Sequence, residues 1–422
     1  MVAARGSVES GKSVRGPRCS VTDLPFKGLV VADFGWIFAV PHATAWLGAL
    51  GADVIRVESE ASPDLVRFLS GTDGRPGLNR SGIFNAINFS KRSLALNLAR
   101  PEGGEVARRL VGVSDIVIEN FTVGNMDKFG LGYDVLRTIK PDIIMLSGTP
   151  LGQDGPYART VGFGPTTQAF AGICHLTGYP ESFPCGIGGT WPDFAVGTAM
   201  VFALLAALHH RDRTGEGQYI DISMAELVTS MLPEAMMDVF LNGRDSGPQG
   251  NRDECMAPHA VFPAKGEDRW IAIAVATDDE FAKLCDTLGV LNLASDPMYS
   301  RLATRLKNVA RLESEIAART RNHDRDELVA KLRVLGLAAG PVNRAEDIAN
   351  DPAYLASPMP ILMTHPECGT RITPGLAVGF SAITPHYTAA PMLGQHTDEV
   401  LEGLLGYSPT EIARLRTEKV LT

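Results

Sequence analysis

From Leu29 onward, short runs of apolar and β-branched residues alternate with stretches of helical spacing. Runs of four to eight apolar residues suit buried strands, and the longer periodic stretches suit helices. The pattern predicts strands at 29–34, 53–57, 115–119, 142–147 and 218–223. Helices are expected at 41–50, 101–110, 131–139 and 194–208, and from Met224 onward. Gly51 stands where a helix often stops on a left-handed residue, and Pro101 where a helix first turn tolerates proline. The alternation implies a parallel sheet with crossover helices.

The pattern breaks between Asn242 and Pro258, a stretch dense in Gly, Pro, Asn and charge. A further strand at 269–275 and helices around 280–288 and 311–335 follow, which reads as a second, smaller α/β unit. Gly340-Pro341 and Asp351-Pro352 mark a return linker, and 395–405 and 409–418 read as C-terminal helices. The organisation expected is a tail at 1–22, a large domain at 23–245, a small domain at 246–350 and a returning segment at 351–422. The tail carries Arg5, Lys12, Arg15 and Arg18, shows no secretory h-region, and is expected to be disordered.

The chain has 422 residues, 45% hydrophobic and 21% charged, which suits a globular protein with more than one core. A net charge of −9 argues against nucleic-acid binding and leaves room for a small cationic pocket. The six cysteines form no CxxC pair and no Cys/His cluster with zinc spacing, so reduced thiols in the cytoplasm are expected, with no metal. The apolar run 194–208 is too short for a membrane span and reads as a buried helix, so no membrane partner is expected. The first turn, Asp33 to Pro41, lacks GxGxxG, and no P-loop occurs, so a permanently bound dinucleotide is not expected. Asp193, in Gly188-Gly189-Thr190-Trp191-Pro192-Asp193-Phe194, opens a long apolar helix; it is either an N-cap or a placed carboxylate.

Five segments together resemble the class III CoA-transferases, the family of formyl-CoA transferase. They are Leu50-Gly51-Ala52-Asp53-Val54-Ile55-Arg56-Val57-Glu58, Asn88 to Leu98, Asp115-Ile116-Val117-Ile118-Glu119-Asn120-Phe121, Arg213 to Gln218, and Leu393 to Leu401. The resemblance implies an α/β fold: a Rossmann-like large domain with a parallel sheet, an inserted smaller α/β domain, and two subunits interlocked as rings. It also implies that Asp193 is the catalytic carboxylate, attacking a thioester and passing CoA through an aspartyl-CoA thioester.

Coenzyme A or acyl-CoA is then a substrate, with contacts implied at Ile37, Phe38, Arg56, Lys91, Arg92, Asn120, Phe121 and Lys128. Trp36, Phe163 and the loop holding Gly250 and Asn251 fall where the family shapes its acyl pocket and lid. Phe38 replaces a glutamine of the formyl-CoA enzymes, which implies a larger, less polar pocket. The Gly162-Phe163-Gly164-Pro165 step resembles transferases that use succinyl-CoA as donor and aryl-substituted or dicarboxylic acids as acceptors. A homodimer, or a heteromer with a related subunit, is implied.

Other readings stay open at this point. The same fold hosts α-methylacyl-CoA racemases, which need a His-Asp proton shuttle where this chain reads Gly162-Phe163-Gly164-Pro165. A non-catalytic subunit of a heteromeric transferase and an acyl-CoA binding protein are the others.

Overall fold

The computed structural model describes residues 24–69, 71 and 74–422; the expected tail at 1–22 lies outside them. The described chain divides into two compact units. Unit 1 holds the chain up to Ala171, then Gly188–Pro233 and Leu355–Thr422. Unit 2 holds Gly172–Ile187 and Glu234–Tyr354. The second unit thus begins earlier than the glycine-rich break at 242–258 and takes in a segment, 172–187, that sequence patterning placed in the large domain.

The elements of unit 1 begin with β1 (Val30–Asp33), α1 (Ala39–Ala49), β2 (Asp53–Glu58), α2 (Gly82–Ile87) and β3 (Arg92–Ala95). Next come α3 (Pro101–Gly112), β4 (Ile116–Glu119), α4 (Asn125–Lys128), α5 (Tyr133–Ile139), β5 (Ile144–Thr149) and α6 (Gly164–Phe170). After α7 (Ile173–Leu176), which belongs to unit 2, follow α8 (Trp191–Thr214), β6 (Tyr219–Ser223) and α9 (Met224–Ser230). The six strands form one parallel sheet in the order β3-β2-β1-β4-β5-β6. The order reverses between β1 and β4, and in such sheets ligands lie beyond the carboxyl ends of the strands at that reversal.

Alternate residues divide the core. Ile116, Ile118, Ile144 and Leu146 face α1 and α8, while Val117 and Met145 face α3, α5 and the C-terminal helix at 409–417. Gly197 of α8 lets the backbone of α1 come close: a methyl there would lie 2.7 Å from the Ala39 carbonyl oxygen. At the far end of α8, Arg211 pairs with Asp115 at 3.1 Å, which anchors the helix beside β4. By length and composition α8 is apolar enough to cross a membrane, longer than the run legible in sequence. Its buried face, Val196, Met200, Val201, Leu204 and Leu208, packs into the core.

Buried charges brace this sheet. Arg67 grips Glu58 with two hydrogen bonds, of 2.9 and 2.7 Å, and lies 3.7 Å over the Phe84 ring. Removing one partner of such a pair leaves an uncompensated buried charge. Arg67→Ala is therefore expected to cost roughly 3 kcal/mol or more, read as a lower urea midpoint. A loss under about 1 kcal/mol would show that Ser93 and Arg56 suffice to satisfy Glu58.

Unit 2 carries α10 (Pro233–Asn242) and a three-stranded antiparallel sheet of β7 (His259–Pro263), β8 (Trp270–Ala274) and β9 (Ala338–Pro341). The helical stretch expected as 311–335 is two helices, Val309–Thr320 and Arg325–Val334. Asp324 divides them by accepting the amides of Asp326 and Glu327, an N-cap that sequence periodicity passed over. The return segment is not a plain linker. In unit 1 it pairs β10 (Pro360–His365) with β11 (Gly369–Pro374) as an antiparallel hairpin around a positive-φ Gly369.

Candidate active site

Asp193 is not an N-cap. The cap position is Thr190, with Trp191 and Pro192 opening α8, so Asp193 is the third residue of the helix, still within its first turn. It is 8% exposed, and burial pushes its pKa up to about 6, partly countered by a backbone hydrogen bond. Among the described residues no cation pairs with it. A carboxylate partly stripped of water and unpaired has the chemistry to serve as an oxygen nucleophile or to exchange a proton near neutral pH.

Space for it is made by Gly164, the first residue of α6. A methyl at that position would stand 2.6 Å from Asp193 Oδ2 and 2.2 Å from the Gly189 carbonyl oxygen. Gln168, one turn along α6, donates to the Gly188 carbonyl oxygen at 2.6 Å and so ties down the loop that leads into α8. The Gly162 to Pro165 step, notable in sequence for what it lacks, thus has a positive role: it is the surface against which the carboxylate rests.

The loop after β1 meets the loop after β4 where the strand order reverses. Asn120 spends its whole amide on Trp36, accepting from its N–H at 2.7 Å and donating to its carbonyl oxygen at 2.8 Å. Phe121 packs against Trp36 with ring centroids 6.1 Å apart and against Phe129 at 6.0 Å. Ile37 follows with φ +66, a left-handed conformation that a β-branched residue rarely adopts. Its amide is held by Asp64 Oδ2 at 3.1 Å. Such strain persists where surrounding contacts over-determine it, and it clusters at functional sites. Phe38 then lies 6.1 Å from Phe194, the neighbour of Asp193, while His42 stands edge-on to the same ring at 4.9 Å. Burial and the nearby charge of Lys91 pull His42 down to about 4, so it is neutral at physiological pH.

The basic residues implied as CoA contacts fare differently. Lys91 is enclosed: its Nζ donates to Asp33 Oδ2, the Pro41 carbonyl oxygen and Asn88 Oδ1, all within 3.0 Å. Its three donors are spent, so it is a structural ion here rather than a phosphate ligand. Burial lowers its pKa to about 8, against the opposing pull of Asp33. Arg56 is also fully buried, with Nη2 on Asp64, although Nε and Nη1 lack a hydrogen-bond partner among the described residues. Arg92 opens β3 and is committed to Asp53 and Glu399. With Lys27 it lines a cavity of about 340 Å³ beside the amino end of β2, not the Asp193 pocket.

Lys128, by contrast, is exposed at the end of α4, where it donates to Asn125 Oδ1 at 3.2 Å, and its ammonium is open to solvent. Phe163 is 53% exposed beside Gly164. Gly250 and Asn251 lie in unit 2, where Gly250 donates to the Gly178 carbonyl oxygen and Asn251 to the Tyr179 hydroxyl. Sequence reasoning overlooked Asp64, Gly164 and Glu119; only the capping sequence around Asp64 carried a local signal.

The fold defines a parallel α/β protein with a buried, unpaired carboxylate at a helix start and a strained, aromatic-lined loop at its topological reversal. The sequence profile of CoA-transferase family III matches residues 26–397, and the chain belongs to that family. It is 33% identical to the beta subunit of succinyl-CoA–L-malate CoA-transferase of Chloroflexus aurantiacus, over 95% of this chain and 99% of that one. It is also 33% identical to succinate–glutarate CoA-transferase of Agrobacterium fabrum, over 90% and 96%. A crystal structure of a CAIB/BAIF family protein from Brucella suis superposes with a TM-score of 0.83 at 33% identity, covering 90% of this chain and 99% of that one.

Proposed function

We propose that the protein moves CoA from succinyl-CoA to a second, dicarboxylic acid, with Asp193 as the nucleophile. The observation that carries this reading is the buried Asp193 carboxylate, unpaired and seated against Gly164 at the start of α8. An Asp193 oxygen attacks the thioester carbonyl; the C–S bond breaks, leaving a mixed anhydride and CoA thiolate. The thiolate attacks Asp193 Cγ, releases the donor acid and leaves an aspartyl-CoA thioester. The acceptor carboxylate repeats the two steps in reverse order and departs as its CoA ester. One thioester replaces another, so the balance needs neither ATP nor water.

Of the basic residues implied as CoA contacts, Lys128 is the exposed one, and the Trp36–Phe38 loop with Phe121 supplies apolar surface. Succinyl-CoA, malate and glutarate appear in the names of the relatives, which favours a dicarboxylic over an aryl acceptor. A racemase would need a second proton carrier in the Gly162-Phe163-Gly164-Pro165 step, and none of these residues can move a proton. The exposed apolar side chains of α8 and α10, Phe202, Leu205, Phe240 and Leu241, support burial against another subunit, as an interlocked homodimer or with a related chain. The setting proposed is the cytoplasm, with free thiols.

The test is to incubate the protein with succinyl-CoA alone and follow peptide masses after hydroxylamine. A hydroxamate on the Asp193 peptide is expected. Binding of succinyl-CoA with no mark on that peptide would remove the transferase reading and favour a silent partner subunit.

A further inference from the structure

Glu119 closes β4 and is 2% exposed. Its Oε2 accepts the Phe121 amide at 2.6 Å, and Ser147 of β5 also hydrogen-bonds the carboxylate. The charges that act on it most are those of Asp221 on β6 and Asp127 in α4, with Tyr219 of β6 coupled to it, and among the described residues no salt bridge gives it a cation. Burial first, then the charges of Asp221 and Asp127, push its pKa up to about 7, against the pull of Ser147 and the Phe121 amide. The proposed chemistry gives this buried acid no task. A carboxylate kept in such surroundings without a counter-ion is costly.

What Glu119 holds is a corner. The Phe121 amide it accepts belongs to the residue whose ring packs on Trp36, and the intervening Asn120 clamps the Trp36 backbone from both sides. From Trp36 the chain passes through the left-handed Ile37 to Phe38, whose ring meets Phe194 beside Asp193. A continuous set of contacts therefore runs from the end of β4 to the start of α8 within unit 1.

We propose that Glu119 is a positioning residue for CoA transfer: by holding the Phe121 amide it sets the corner that clamps the Trp36–Phe38 loop beside the Asp193 helix. The proposal rests on the CoA-transferase reading given above. An ionised acceptor makes the stronger hydrogen bond, so the corner is firm above pH 7 and looser below it. The loop is then tuned by the protonation of a group that never touches the reacting atoms.

The test measures the dissociation constant for CoA in the full chain and in Glu119→Gln, at pH 6 and pH 8.5. Because the CoA phosphate itself titrates in this range, the ratio of the two constants carries the result. Glu119→Gln keeps an acceptor but no charge. It is expected to bind about fivefold more weakly than the parent at pH 8.5 and about equally at pH 6. Ser147→Ala, which takes a donor from the carboxylate, is expected to move the midpoint of the parent's dependence to higher pH. A ratio unchanged between the two pH values, or a Ser147→Ala midpoint that does not move, would overturn the positioning role. Absence of CoA binding by the parent itself would instead strike at the transferase reading beneath it.

Discussion

Replacing Asp193 by alanine is expected to lower kcat roughly 10⁴-fold or more while leaving the dissociation constant for CoA within about threefold. Asp193 Oδ2 is the side-chain atom among the three nearest to a methyl placed on Gly164. The parent enzyme is also expected to lose kcat/KM about tenfold per pH unit below about 6, because the protonated acid is not a nucleophile. The same burial has a cost in stability. The folded pKa lies above the usual aspartate value, so the fold holds a proton that the unfolded chain gives up between about pH 4 and 6. Over that interval stability falls as pH rises. Asp193→Asn is accordingly expected to raise the unfolding free energy at pH 8 by up to about 3 kcal/mol, read as a higher urea midpoint, and to change it little at pH 4. Wild-type turnover by Asp193→Ala would rule out covalent catalysis by this residue.

Gly164→Ala is expected to lower kcat about 10²-fold, the second-largest effect. The added methyl would need the space of Asp193 Oδ2, 2.6 Å away, and of the Gly189 carbonyl oxygen, 2.2 Å away. The carbonyl yields least easily, and the side chain is the softer of the two. The carbonyl is backbone, and its neighbour Gly188 is already bonded to Gln168. The carboxylate must therefore turn, and an attacking oxygen misplaced by about 1 Å forfeits most of its alignment with the thioester. Because both substitutions act through one oxygen, the double variant Gly164→Ala, Asp193→Ala is expected to be no slower than Asp193→Ala alone. A single variant with kcat within about threefold of the parent would show that the carboxylate attacks from a different rotamer.

The parallel core was legible because its strands are buried on both faces. Leu29 to Ala32 and Ile116 to Ile118 read as continuous apolar runs, and Gly51 and Pro101 punctuated the helices as expected. The short strand β3, only Arg92–Ala95, escaped notice because its run mixes charge with apolar residues. The hairpin β10–β11 escaped because it is mostly exposed and lacks a buried stripe. The cations were the least legible part of the site. Lys91 and Lys128 have the same side chain and matched the family pattern equally well, yet one is enclosed by Asp33, Pro41 and Asn88 and the other stands in solvent.

The sequence by itself determined the alternation of strands and helices, the family, and the identity of the carboxylate to examine. Hydrophobic periodicity and local motifs are properties of neighbouring residues, and those are readable along a chain. Tertiary structure alone decided that Gly164 makes room for Asp193, that Asn120 spends its amide on Trp36, and that Arg56 and Lys91 are held inside. Each of these depends on residues far apart in sequence coming within hydrogen-bond or van der Waals range. The ionisation of the buried acids depends on it too, because desolvation is set by everything that surrounds a group and not by its neighbours in the chain.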